Sequence, residues 1–226
     1  MNTLAIDTST DSASIALLDD ENVVAEFCFN TKRRHEETLL GAIDTLLSHG
    51  GVKPSEIDLF AVTVGPGSFT GLRVGLSTTK GLAFAAEKPI VGVSTLTALA
   101  FNIPNCENAI CPMLDAKRGE IYTAIYRVEK GGIPEMIGEE RVTTPEKLLN
   151  EINDRTIFLG NGATLYAGMI REILSENSFF APPSFSYIKA GGVGLIGLKK
   201  YFDGDIVDAD NLVPVYLRSS YAETQG

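Results

Sequence analysis

The hydrophobic period of this chain changes along its length and then repeats the same order of changes, which constrains the fold more than any other feature. Residues 3–6 are an apolar run, 13–18 are rich in apolar side chains and 23–29 alternate roughly by two, so three short strands are predicted. The connector Asp19-Asp20-Glu21-Asn22 is a polar hairpin turn. The period then becomes helical: Leu39, Leu40, Ile43, Leu46 and Leu47 share one face, Glu36, Glu37 and Asp44 occupy others, and Gly50-Gly51 stops the run. A strand at 59–64, a helix at 70–86 and a strand at 89–93 follow. From about residue 104 the pattern restarts, with strands at 109–114, 121–128 and 136–142, a helix at 145–152, a strand at 156–159 and helices at 165–174 and 193–202. The expectation is an α/β protein of two tandem units, 1–103 and 104–226, divided at Ile103-Pro104.

Two such βββαβ units in succession describe the actin-like, Hsp70-like and sugar-kinase-like ATPase architecture. Composition permits it: 226 residues, 44% hydrophobic and 21% charged, are enough for two cores. No apolar run approaches the ~18 residues of a membrane span, and Met1-Asn2-Thr3-Leu4 lacks the basic region of a signal peptide. Cys28, Cys106 and Cys111 form no metal-binding pattern and are expected to be reduced, buried thiols of a cytoplasmic protein. Net charge is −10, with 7 basic and 13 acidic residues in 1–110 and 12 and 16 in 111–226. Neither half has the basic footprint of a nucleic-acid binder.

The most specific motif is Gly65-Pro66-Gly67-Ser68-Phe69-Thr70-Gly71-Leu72-Arg73-Val74-Gly75, at a strand-to-helix junction. Glycines there allow the backbone to approach a phosphate or another chain closely. Yet the run lacks the lysine of a P-loop, and Thr70 stands where the dinucleotide fingerprint requires glycine. The run resembles the signature of the bacterial TsaB family, also called YeaZ. Other blocks agree in order and spacing: Leu4-Ala5-Ile6-Asp7-Thr8-Ser9, His35-Glu36-Glu37-Thr38-Leu39-Leu40, Leu114-Asp115-Ala116-Lys117-Arg118-Gly119-Glu120-Ile121-Tyr122 and Pro214-Val215-Tyr216-Leu217-Arg218. The resemblance spans almost the whole chain. It implies the same actin-like fold and a role as an accessory subunit in making threonylcarbamoyladenosine on transfer RNA.

Asp7-Thr8-Ser9-Thr10 and Asp115-Ala116-Lys117-Arg118 occupy the two positions at which ATPases of this fold wrap phosphate. Asp7 is a candidate magnesium-shell acid, but Thr8, Ser9 and Thr10 replace the glycine that lets successive N–H groups converge on a phosphate. An Asx or Ser/Thr turn accounts for the same residues. In the second hairpin Gly119 arrives only after Lys117 and Arg118, so Asp7, Ser9, Asp115 and Arg118 read as a vestigial nucleotide site. Gly160-Asn161-Gly162 is either a turn near an adenosine or a flexible strand-to-helix turn. The chain has two histidines, His35 and His49, fourteen residues apart, whereas the superfamily's catalytic member TsaD holds metal with a His-x-x-x-His pair. No metal site and no cofactor are therefore expected.

Apolar residues surround most of helix 70–86, so it must be buried on more than one side. It is either a central core helix or one that packs on the sheet with one face and on a second subunit with another. Gly71 and Gly75, four apart, would permit close helix-to-helix approach. The resemblance favours the second reading, with a partner interface through His35, Leu39, Ile43, Gly67, Phe69, Gly71, Leu72, Gly75 and Thr79. Gly75→Arg is then expected to keep the fold and lose the partner. The partners implied are TsaD, with the ATPase TsaE in a ternary complex, or another copy of the chain through the same helices. Transfer RNA would be met only through the complex, in which TsaD transfers threonylcarbamoyl from threonylcarbamoyl-AMP to the N6 amine of the adenosine beside the anticodon. The alternative is a small-molecule kinase or ATPase of the same fold, with a metallopeptidase third.

Overall fold

Continuous apolar runs and alternating ones sort the strands into centre and edge. The computed structural model describes residues 1–30, 35–128, 132–208 and 211–218. It divides into two compact units, Met1–Ala98 with Ile188–Val215, and Leu99–Tyr187 with Tyr216–Gly226. In the first unit β1 (Asn2–Asp7), β2 (Ser12–Asp19), β3 (Asn22–Asn30), β4 (Leu59–Gly65) and β5 (Ile90–Ser94) form a mixed sheet in the order β3-β2-β1-β4-β5. β1 is buried from Thr3 to Asp7, as a strand covered on both faces must be. It pairs antiparallel with β2 and parallel with β4, matching Ile6 to Ile15 and Val62.

One face of this sheet, presenting Leu4, Ile6, Ile15, Leu17, Phe60 and Val62, packs with α1 (His35–Gly50) and α2 (Phe69–Ala86). The opposite parity, Ala5, Leu18 and Ala61, meets α7 (Ala190–Phe202). α7 comes close because its contact row is glycine: a Cβ at Gly197 would lie 2.6 Å from Ala61 Cβ. Two bonds fix its ends, Gly191 N–H to Glu26 Oε1 at 2.8 Å and Lys200 Nζ to the Gly92 carbonyl at 2.7 Å. This corrects the linear boundary at Ile103-Pro104, because the C-terminal helix returns to the first unit to cover a sheet face that would otherwise meet water.

The second unit repeats the arrangement. β6 (Ala109–Lys117), β7 (Glu120–Arg127), β8 (Glu135–Thr143), β9 (Thr156–Leu159) and β10 (Ser178–Phe180) lie in the order β10-β9-β6-β7-β8. Each sheet therefore places its first strand at the centre, the next two to one side and the last two to the other. α4 (Pro145–Glu151) and α6 (Ala167–Leu174) cover one face through Leu148, Leu149 and Ile170. The short helices α3 (Thr95–Ala100) and α5 (Asn161–Leu165) and the three-residue β10 were not expected from periodicity.

The thiols depart from expectation at one position. Cys111 is buried and Cys106 half-buried, but Cys28 on the edge strand β3 is exposed. Burial pushes the Cys111 thiol up to about 12, with the Thr123 hydroxyl opposing. Relative to an ordinary thiol at 9.0, its thiolate is scarcer by roughly a thousandfold at neutral pH. Disulfide-reagent titration of the native protein should therefore modify Cys28 rapidly and Cys111 only on unfolding. Equal rates for all three would contradict this packing.

Candidate functional site

Asp7 stands where β1 leaves the sheet, and its carboxylate turns inward. It is fully buried. Its Oδ1 accepts from Ser9 N–H at 3.1 Å, from Ser9 Oγ at 2.6 Å and from Thr63 Oγ1 of β4 at 2.7 Å. Thr8 Oγ1 donates to the Gly71 carbonyl at 2.7 Å, and the hydroxyls of Thr10 and Ser12 pair at 2.9 Å. The β1–β2 turn is thus braced by its own side chains as an Asx-type turn, and Ser9 N–H, which a phosphate would need, already serves Asp7.

The glycine-rich segment completes this closure. The Gly65-Pro66 peptide is cis. Ser68 caps α2 by accepting from Gly71 N–H at 3.3 Å, while Ser68 N–H donates to the Ser9 carbonyl at 2.7 Å. A Cβ at Gly67 would lie 2.2 Å from the Ser9 carbonyl oxygen, at Gly71 2.0 Å from that of Thr8, and at Gly75 2.3 Å from Thr8 Oγ1. The three glycines form a strip pressed onto the turn, so their close approach is helix to turn and lies inside the unit. This corrects the expected helix-to-helix contact at Gly71 and Gly75.

The same inward direction holds for other expected interface residues. Leu72 is buried, Thr79 Oγ1 donates to the Gly75 carbonyl at 2.8 Å, and Leu39 and Ile43 sit in the hydrophobic cluster. Within the chain Leu39 and Leu72 are buried in the core and Thr79 is turned onto its own helix, whereas Ile43 also borders the groove between α1 and α2. His35 begins α1, but its side chain lies outside the described residues. His49 Nδ1 lies 2.8 Å from the Thr45 carbonyl of its own helix.

Phe69 is the expected residue that does face outward. It is 43% exposed, with the Arg73 guanidinium 3.9 Å from its ring centroid. Leu40 of α1, 58% exposed, joins Phe69, Arg73, Ser77 and Thr78 in lining a depression of about 390 Å³. On its other side Leu40 borders an apolar groove of about 480 Å³ between α1 and α2, lined by Ile43, Leu47, Leu82 and Ala85 and carrying Asp44. Sequence reasoning missed Leu40 and Arg73 as surface residues. The signal was present, since Leu39 and Leu40 are adjacent and cannot both face one core.

In the second unit Lys117 pairs with Glu120 across the β6–β7 turn, leaving Arg118 and Gly119 at φ 59° and 79° as its central residues. Asp115 Oδ1 accepts from Lys117 N–H at 2.8 Å, and Lys117 Nζ folds back onto Oδ2 at 2.7 Å. The hairpin thus satisfies its own acid, while Arg118 is exposed. Gly160 and Gly162 repeat the device of the first unit: a Cβ at Gly160 would lie 2.4 Å from the Met113 carbonyl oxygen, and at Gly162 2.9 Å. Asn161 Oδ1 accepts from Asp115 N–H at 2.9 Å. In each unit, the junction after the fourth strand packs glycine onto backbone of the first strand or of the turn that follows it: Thr8 and Ser9 just beyond β1, and Met113 within β6.

The family model described as TsaD, tRNA N6-adenosine threonylcarbamoyltransferase, matches residues 22–223. A Bacillus subtilis (strain 168) protein named tRNA threonylcarbamoyladenosine biosynthesis protein TsaB is 32% identical over 227 residues, covering 100% of this chain and 97% of its own length. The chain belongs to the TsaB family. The structure of YeaZ from Pseudomonas aeruginosa superimposes with a TM-score of 0.82 at 29% identity, covering 96% of this chain and 99% of its own. ROK hexokinase from Thermus thermophilus, with a TM-score of 0.51 at 11% identity over 90% of this chain and 100% of its own, shares the fold alone. The actin-like, sugar-kinase-like architecture expected from the element order is therefore the observed one. Among the described residues, no helix is long and apolar enough to cross a membrane.

Proposed function

We propose that this chain is a non-catalytic partner subunit in tRNA threonylcarbamoyladenosine synthesis. It docks on TsaD through the outer face of α1 and α2. TsaD, with the ATPase TsaE, then transfers threonylcarbamoyl from threonylcarbamoyl-AMP to the N6 amine of the adenosine beside the anticodon. One observation carries the non-catalytic part of this reading: the phosphate position of the first unit is closed on itself, with Asp7 engaged by Ser9 and Thr63. The α1–α2 face supplies the docking part, because Leu40 and Phe69 are large apolar groups at the surface around one depression. A net charge of −10 supports contact with transfer RNA only through TsaD. A second copy of the chain would occupy the same face and compete with TsaD.

The isolated chain should hydrolyse ATP and transfer threonylcarbamoyl below ~1 turnover per second, the low end of ordinary enzymes. Added to TsaD and TsaE, it should restore tRNA modification that is lost on omitting it. Faster turnover by the chain alone, removed in folded Asp7→Asn protein, would instead establish a kinase or ATPase of this fold.

A further inference from the structure

A second apolar feature lies at the other end of α2. Phe84, in the last turn, is 80% exposed, and Ile206, beyond α7, is 47% exposed. Phe84 is fifteen residues from Phe69, about 22 Å along the helix, so this feature is distinct from the depression around Phe69, although it adjoins the α1–α2 groove at Ala85. The two side chains line one groove of about 670 Å³, together with Pro89, Val207, Glu87 and Asp208. Its walls are anchored: Val207 N–H donates to the Ile90 carbonyl at 2.9 Å, and Glu87 closes α2 at φ 53°. Exposed hydrophobes scattered singly are ordinary, but two sharing a groove mark a contact surface.

The charges around the groove select its occupant. Lys88 also lines the groove, but its Nζ is held by Asp58 at 3.3 Å, and outside it Lys199 and Lys200 are held by Asp203 and Asp205 at 3.0 Å. Glu87 and Asp208 on the groove itself have no ion-pair partner among the described residues. We propose that this groove docks a short cationic amphipathic segment of a partner protein. Its aliphatic side chains would lie on Phe84 and Ile206, and its Lys or Arg would meet Glu87 and Asp208. A second copy would bring the same acidic rim and, among the described residues around it, no free cationic segment, since Lys88, Lys199 and Lys200 are each already held by an acid of their own chain. RNA and anionic lipid meet repulsion from a chain of net charge −10. This docking site goes beyond the α1–α2 interface and does not depend on it.

The probe is a 14-residue helical peptide of leucine and lysine, with a leucine and glutamate version as its counterpart. Titrated into the full chain, the lysine peptide should shift backbone amide resonances only in residues 83–89 and 206–208. Phe84→Ser, a change at an exposed position, should weaken it at least tenfold with melting unchanged. Glu87→Lys with Asp208→Lys should weaken it at least tenfold and confer binding of the glutamate peptide. Shifts centred elsewhere, Phe84→Ser affinity within twofold of wild type, or a wild-type dimer that Phe84→Ser dissociates would each overturn the assignment.

Discussion

Gly75→Arg is expected to abolish the cooperative melting transition of the purified chain, and Gly71→Ala to lower its midpoint by about 5–15 °C. At Gly71 the first added carbon would sit 2.0 Å from the Thr8 carbonyl oxygen. That obstacle is backbone, in a turn tied down by Asp7, Ser9 and Thr63. Overpacking costs about 1–3 kcal/mol and occasionally more, and displacing the turn also threatens the Thr8 to Gly71 hydrogen bond, worth about 1 kcal/mol. A loss of about 2–4 kcal/mol at 2–4 °C per kcal/mol in a chain of this size gives the stated shift. Arginine at position 75 adds bulk and a buried charge against Thr8, with no acid described at that contact. The control is Gly81→Ala: nothing lies within 4 Å of a Cβ there, so alanine should stabilise α2 by about 0.5–1 kcal/mol. Calorimetry on the three variants checks the set. A Gly75→Arg protein that melts like wild type would return this glycine to the surface and restore the interface expected from sequence.

The reversal at Gly75 illustrates what the sequence could and could not convey. Element order and type were legible, because a period of two and a period of 3.6 leave different imprints on long segments. α3, α5 and β10 were not, since five or six residues hold too little periodicity and three hold none. α7 was legible as a helix but not as part of the first unit. Its glycines match Ala61, Leu18 and Ala5, more than a hundred residues away, and nothing local encodes that pairing.

At the candidate site the inward bonding of Asp7 and Ser9 was foreshadowed by the missing glycines of the first turn, whereas Arg118 of the second turn is exposed. The strip Gly67, Gly71 and Gly75 was recognised as a place of close approach. Its partner, the Thr8–Ser9 backbone, lies some sixty residues upstream and could not be read from spacing. The second unit makes the same use of Gly160 and Gly162 against Met113. In both units of this chain glycine after the fourth strand is therefore required by packing alone, so a nucleotide-like loop does not by itself call for a bound phosphate.

The α1–α2 face yields the sharpest functional test. Leu40→Asp should weaken TsaD binding by a hundredfold or more and remove tRNA modification from the reconstituted system, with melting within about 2 °C of wild type. Leu40 stands between the depression around Phe69 and the apolar groove that holds Asp44, the central location in which binding hot spots concentrate. A hot-spot loss of about 3 kcal/mol corresponds to more than a hundredfold in affinity. Because Leu40 is 58% exposed, aspartate there buries no charge in the free chain. Its neighbour Leu39 is 1% exposed within the core cluster, so Leu39→Asp should instead unfold the protein. Phe69→Ala should fall between wild type and Leu40→Asp, since part of its ring is already covered by Arg73. Titration calorimetry against purified TsaD separates these outcomes. A folded Leu40→Asp protein that binds TsaD at full affinity would move the interface off this face altogether.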